Sequence, residues 1–162
     1  MRPFLTLLLS ALLMGPALAQ SPPTVWLVSR TPEALLAANL GGAMRSNGLA
    51  LVEETLYYRH PRTLKEGQVD FLRTQTLYDC NTPRKFKIVT VAGFKAGQAA
   101  PVFDAKQDNA RWGIAPAQTN LTKQWTAACK NGEGATPLRS VSSDQQVLQA
   151  FRQQTNASPR PR

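Results

Sequence analysis

Residues 69–79, VDFLRTQTLYD, and residues 84–95, RKFKIVTVAGFK, decide the fold. In the first stretch Val69, Phe71 and Leu77 fall on one face and Asp70, Thr74 and Thr76 on the other. That is the period-2 pattern of a half-buried strand, with Leu72 and Tyr78 as exceptions. In the second stretch Phe86, Ile88 and Phe94 are expected to share one face, and Lys85 and Lys87 to share the other with Val89 and Val91. Asn81-Thr82-Pro83 turns the chain between them, so the pair reads as an antiparallel hairpin.

Working outward, residues 24–29 (TVWLVS) are a short apolar run rich in β-favouring residues. Thr31-Pro32-Glu33-Ala34 after it reads as a helix start, a capping residue followed by proline at the first turn, and predicts a brief helix. Gly41-Gly42 and Asn47-Gly48 mark turns. Residues 49–58 (LALVEETLYY) read as a strand, and residues 59–67 (RHPRTLKEG) as the turn that follows. Pro101-Val102-Phe103 suggests a reversal and a shorter strand, and Trp112 lies in a further apolar segment ending at Pro116.

Two helices are expected downstream. Thr119 can cap a segment running to Lys130, on which Leu121, Trp125, Ala128 and Cys129 form one stripe, turning Cys129 toward the sheet. Gly132 and Gly134 would end it. Ser143-Asp144-Gln145-Gln146 has a capping-box pattern, followed by the apolar stripe Val147, Leu148 and Phe151. The fold class expected is α+β: a small antiparallel sheet with a C-terminal helix packed across one face.

The first 19 residues read as an export signal. Arg2 gives the positive start, Phe4 to Met14 the apolar run, and Ala17-Leu18-Ala19 the small-x-small cleavage pattern, so the mature chain is expected to begin at Gln20. The run is too short to span a bilayer, which takes about 20 apolar residues, and no transmembrane anchor is expected in the mature chain. No cysteine follows the cleavage site to carry a lipid. The organisation expected is thus a signal at 1–19, one domain at 20–154, and a disordered basic tail at 155–162.

Cys80 and Cys129 are the only two cysteines. In an oxidising compartment an isolated pair is most simply a disulfide, and CxxC redox spacing is absent. A metal centre wants more His and Cys than the chain owns, and neither metal nor cofactor is expected.

Lys and Arg number 19 against 10 Asp and Glu, a net charge of +9. Such a balance favours acidic partners, and export argues against nucleic acid, leaving acidic extracellular protein or polysaccharide, or an envelope protein. The candidate surface is the basic strand: Lys85 and Lys87 projecting from one side, with Arg84, Arg62 and Lys65 as expected neighbours. Strand lysines also serve simply to discourage edge-to-edge aggregation. Adjacent Tyr57 and Tyr58 should alternate, one to the core and one outward.

An enzyme would rest on His60, the single histidine, which stands beside Pro61. Glu53 and Glu54 are adjacent and point to opposite faces of a strand, so they cannot act as a pair. No phosphate-cradling loop, HExxH or EF-hand run is present. The expectation is a non-enzymatic binding protein; the alternatives are a periplasmic accessory protein of an envelope complex and a hydrolase with an unrecognised site.

Leu77-Tyr78-Asp79-Cys80, the strand Arg84-Lys85-Phe86-Lys87-Ile88, the segment Trp112-Gly113-Ile114-Ala115-Pro116 and the helix bearing Ala127-Ala128-Cys129 come in an order that resembles the surface-adhesin protein E family of exported Gram-negative proteins. The resemblance runs from about Trp26 to Cys129. It implies a small antiparallel sheet with a helix tied across one face by the Cys80 to Cys129 bridge. The chain departs from that family in lacking a lipid-anchor cysteine.

Overall fold

The computed structural model describes residues 25–138 and 143–154. The expected export signal, the start of the first apolar run at Thr24 and the tail at 155–162 lie outside the described residues. The chain forms β1 (Val25–Arg30), β2 (Ala34–Asn39), β3 (Met44–Ser46), β4 (Leu49–Leu64), β5 (Gly67–Asp79), β6 (Lys85–Phe94), β7 (Phe103–Lys106), β8 (Gly113–Ile114), α1 (Asn120–Cys129), β9 (Thr136–Pro137) and α2 (Asp144–Gln153). The fold is mainly antiparallel β-sheet with two helices and a disulfide between Cys80 and Cys129.

Strand order is β7-β6-β5-β4-β2-β1-β9, with β3 beside β4 and β8 beside β6. The β5–β6 hairpin pairs Phe71 with Phe94 at one end and Asp79 with Lys85 at the other. Its turn is held by the Asp79 carboxylate, whose Oδ1 accepts from the Asn81 and Thr82 N–H groups. Asn47 and Gly48, both at positive φ, make the tight turn between β3 and β4, as a two-residue hairpin loop requires.

Three sequence expectations are corrected. The helix expected after Thr31 is the strand β2: the Thr31 hydroxyl does accept the Ala34 N–H, but it closes a turn between β1 and β2. Ala and Leu are among the strongest helix formers, but propensity is worth under about 1 kcal/mol per residue and yields to tertiary context. Here ALLAAN buries both of its faces between β1 and β4, and the two ladders outweigh that preference.

The turn expected at residues 59–67 is mostly strand. β4 runs on to Leu64, and Pro61 is accommodated because the β4–β5 register shifts between Tyr57 and Arg62. Arg59 is buried under the sheet's end, its guanidinium 4.4 Å from the Phe151 ring centroid.

Phe94 does not share a face with Phe86 and Ile88. Gln75 pairs with Thr90 but Thr76 pairs with Ile88, so Val89 is an extra residue, a bulge. One extra residue reverses every side chain beyond it. Phe94 therefore turns to the face of Lys85 and Lys87 and stacks on Phe71, ring centroids 5.1 Å apart.

Both faces of the sheet are covered, which explains why Leu72 and Tyr78 broke the alternation. One cluster joins Val28, Leu36, Ala38, Val52 and Tyr78 with Ala127 and Ala128 of α1. The other joins Leu35, Ala37, Tyr57 and Phe71 with Val147, Leu148 and Phe151 of α2. Neighbours such as Leu35 and Leu36 fall in different clusters, so the two lie on opposite faces. Thr119 and Ser143 cap the helices as expected, accepting from the Thr122 and Gln146 N–H groups. Asn131 at positive φ ends α1 and the Gly132 N–H reaches back to the Ala127 carbonyl, a Schellman closure. A Cβ at Gly132 would meet the Trp26 ring at 2.9 Å, so the turn and its packing both call for glycine. Among the described residues no helix is long and apolar enough to cross a membrane.

Candidate functional site

The five cations of the expected basic surface form two separate groups. Lys85 and Lys87 lie where β6 pairs with β8, and the Lys85–Ile114 and Phe86–Gly113 register brings Trp112 level with Lys87. The two ammonium groups stand 4.9 and 5.1 Å from the Trp112 ring centroid, within cation–π range. Arg84 sits in the turn at positive φ, its carbonyl accepting the Ala115 N–H.

Arg62 and Lys65 belong elsewhere. Arg62 pairs with Val69 near the closed end of the β4–β5 hairpin, whereas Lys85 pairs with Asp79 at the other end. Ten residues of strand at about 3.3 Å each separate the two places by roughly 30 Å. The single ridge expected from sequence is thereby corrected: Arg62 lies over the Tyr58 ring, and Lys65 sits at the hairpin tip.

What remains is a small aromatic and cationic corner. Trp112 is 41 % exposed and Ile114 55 % exposed, large apolar side chains left in solvent beside lysines. Lys85 is paired with Asp79, Nζ to Oδ2 3.0 Å. The Lys85 ammonium, ahead of the hydrogen bonds from Thr82 and the Asn81 N–H, holds the Asp79 carboxyl below its ordinary range. Cationic character beyond that pair rests on Lys87, with Arg84 and the exposed Arg111 adjacent in the chain. The sequence marks Trp112 as part of an apolar segment and as a landmark of the family resemblance, but not as a neighbour of the lysines. The β6–β8 pairing that sets it between the lysines joins residues about 27 positions apart, and such a pairing leaves no periodic signal.

A second place of chemical interest is Glu54. As expected, Glu53 and Glu54 point to opposite faces, but Glu54 is buried, 3 % exposed. Its Oε1 accepts from the Tyr78 hydroxyl at 2.7 Å, and Thr76 and Gln124 also hydrogen-bond to it. Burial pushes its pKa up to about 7 against those three bonds; burial, then the Glu54 charge, raises the Tyr78 hydroxyl in turn. Glu54 lines a cavity of about 250 Å³ between the sheet and the start of α1, walled mainly by Leu36, Leu56, Leu72, Ile88 and Leu121. The alternation of β4 already implied one inward glutamate, the signal that could have found it.

His60 is exposed on β4. Among the described residues no group of three or more His, Cys, Asp and Glu could hold a metal ion. Tyr57 is buried and Tyr58 half-buried, matching the expected alternation. No protein-family model, curated protein or solved structure matches the chain.

Proposed function

We propose that this is an exported, non-enzymatic binding protein, adhesion-related in the manner of surface-adhesin protein E, that engages an acidic partner through Trp112 and its flanking lysines. The observation that carries the reading is the convergence of Lys85 and Lys87 on an exposed indole. Aromatic and cationic side chains concentrate binding energy at contact surfaces, and charge of one sign selects the opposite sign in a partner. The disulfide supports export, since such bonds persist in oxidising compartments. The resemblance on Asp79-Cys80, Trp112 and Cys129 supports the family assignment, and with it the helix lying across the sheet beneath the bridge.

Binding of the disulfide-intact protein to an immobilised sulfated polysaccharide and to an acidic protein, across a salt series, tests the reading. Affinity should fall as salt rises and should drop at least tenfold in both Lys87→Glu and Trp112→Ala. Binding that ignores salt, or that survives both substitutions, overturns it.

A further inference from the structure

The face opposite the Trp112 corner carries an independent feature. We propose that the cavity between the sheet and α1 is a binding site for a small organic ammonium, its apolar body against Leu36, Leu56, Leu72 and Leu121 and its cationic head on the Glu54 carboxylate.

The volume sets the size of the ligand. At about 250 Å³ the cavity lies just below the roughly 300 Å³ at which sites for drug-sized molecules begin, so the occupant is a small molecule. Apolar walls with a few convergent polar groups are the usual make-up of such a site. Ile88 at 36 % exposed and Asn120, also exposed, mark the mouth, while Glu54 at 3 % lies at the floor.

The charge comes from the partners Glu54 lacks. Tyr78, Thr76 and Gln124 hydrogen-bond to it and all are uncharged. No described residue lining the cavity is Lys or Arg, in a chain that has 19 of them. A buried carboxylate without a counter-cation is costly, and an incoming cation offsets that cost directly. An anionic ligand meets the same carboxylate as a like charge. Burial raises the Glu54 pKa and only neutral hydrogen-bond partners oppose it, and perturbed groups in concave sites are where ligand chemistry concentrates.

The test uses the full chain with its disulfide intact and three probes of one length: n-hexylammonium, n-hexanol and hexanoate, each titrated by calorimetry or NMR near neutral pH. Hexylammonium should bind at least tenfold tighter than hexanol, and hexanoate not at all. Glu54→Gln, nearly isosteric and still able to accept from Tyr78, should erase the preference for the amine. Leu121→Trp, which fills the cavity from the helix and leaves the carboxyl in place, should abolish binding of every probe, with circular dichroism confirming that each variant is folded. Equal binding of amine and alcohol, no binding of the amine, or full amine binding by folded Glu54→Gln or Leu121→Trp overturns the proposal.

Discussion

On the side of the sheet carrying Val52 and Tyr78, α1 is fastened by the Cys80–Cys129 bond, with the Trp125 indole N–H donating to the Asp79 carbonyl at 3.0 Å. The carboxylate buried on that side, Glu54, has only neutral partners. On the side carrying Tyr57 and Phe71, α2 is fastened by charge. Asp144 at its start accepts from Tyr57 and from Arg73, and Arg152 near its end pairs with Asp70. A covalent tether acts whatever the salt and pH; these ion pairs weaken as salt rises and as pH falls far enough to protonate their carboxylates. The two helices should therefore respond to different perturbations, although each closes a core of similar apolar residues.

Breaking the covalent side gives the largest effect. The bridge spans a sequence separation of 49, for which the chain-entropy relation gives about 4 kcal/mol. The double substitution Cys80→Ser, Cys129→Ser should lower the urea midpoint accordingly, and added reductant should then have no further effect on the variant.

The next effect, on the order of 3 kcal/mol, comes from Glu54 and has an unusual sign. An unfolded Glu54 releases its proton near 4.5, whereas the folded one keeps it until about 7. Between those values the unfolded state binds fewer protons, so stability falls as pH rises and the loss is complete above about 7. Glu54→Gln should flatten that slope in denaturant curves taken from pH 4.5 to 8. The opposite sign is expected of Asp70 beside α2. Burial would raise its carboxyl, but the Ala96 N–H and Arg152 together hold it below its ordinary 3.8. Its contribution is present above 3.8 and is lost as pH falls through the lowered value, so acid should loosen α2, whereas the rise from about 4.5 to about 7 weakens the α1 side.

How far these features could be read in advance follows from how local their causes are. The β5–β6 hairpin, both helix caps and the cysteine pair depend on neighbours within a few residues, or on there being only two candidates, and were legible. β2 departs from the expected helix because ALLAAN favours helix locally, and the ladders to its two partner strands override that preference. The bulge at Val89 carries no sequence mark, yet it moves Phe94 across the sheet. At the candidate site Lys85 and Lys87 were visible, while the 30 Å that removes Arg62 and Lys65 depends on the length of β4, which proline and charge had disguised as a turn.

The ionic fastening can be weakened without removing bulk. Asp144→Asn keeps an acceptor for the Tyr57 hydroxyl, 2.5 Å away, but removes the charge facing Arg73. Both members of that ion pair are about one-third exposed, so solvent screens it and a loss of about 1 kcal/mol is expected. Arg73 Nε has no alternative partner within hydrogen-bond range, since Glu53 Oε1 is 3.8 Å away. The deficit should shrink in molar salt, where the wild-type pair is itself screened. A deficit independent of salt would mean that packing at α2, rather than charge, holds the second helix.

The smallest effect on stability should fall at the Trp112 corner, which separates it from both helix fastenings. Lys87 is half-buried along its stem, its ammonium rests on an exposed ring, and Leu77, its partner across the strands, is uncharged. Lys87→Glu should therefore shift unfolding by no more than about 0.5 kcal/mol, the ordinary range for surface substitutions. The same substitution is expected to lower salt-dependent binding at least tenfold, so a thermal melt on the very sample used for binding checks both statements. A melt lowered as much as by Asp144→Asn would make Lys87 part of the sheet's scaffold and leave Trp112 exposed for another reason. An unchanged melt with lost binding would assign the corner to recognition, leaving fastening to the two helices.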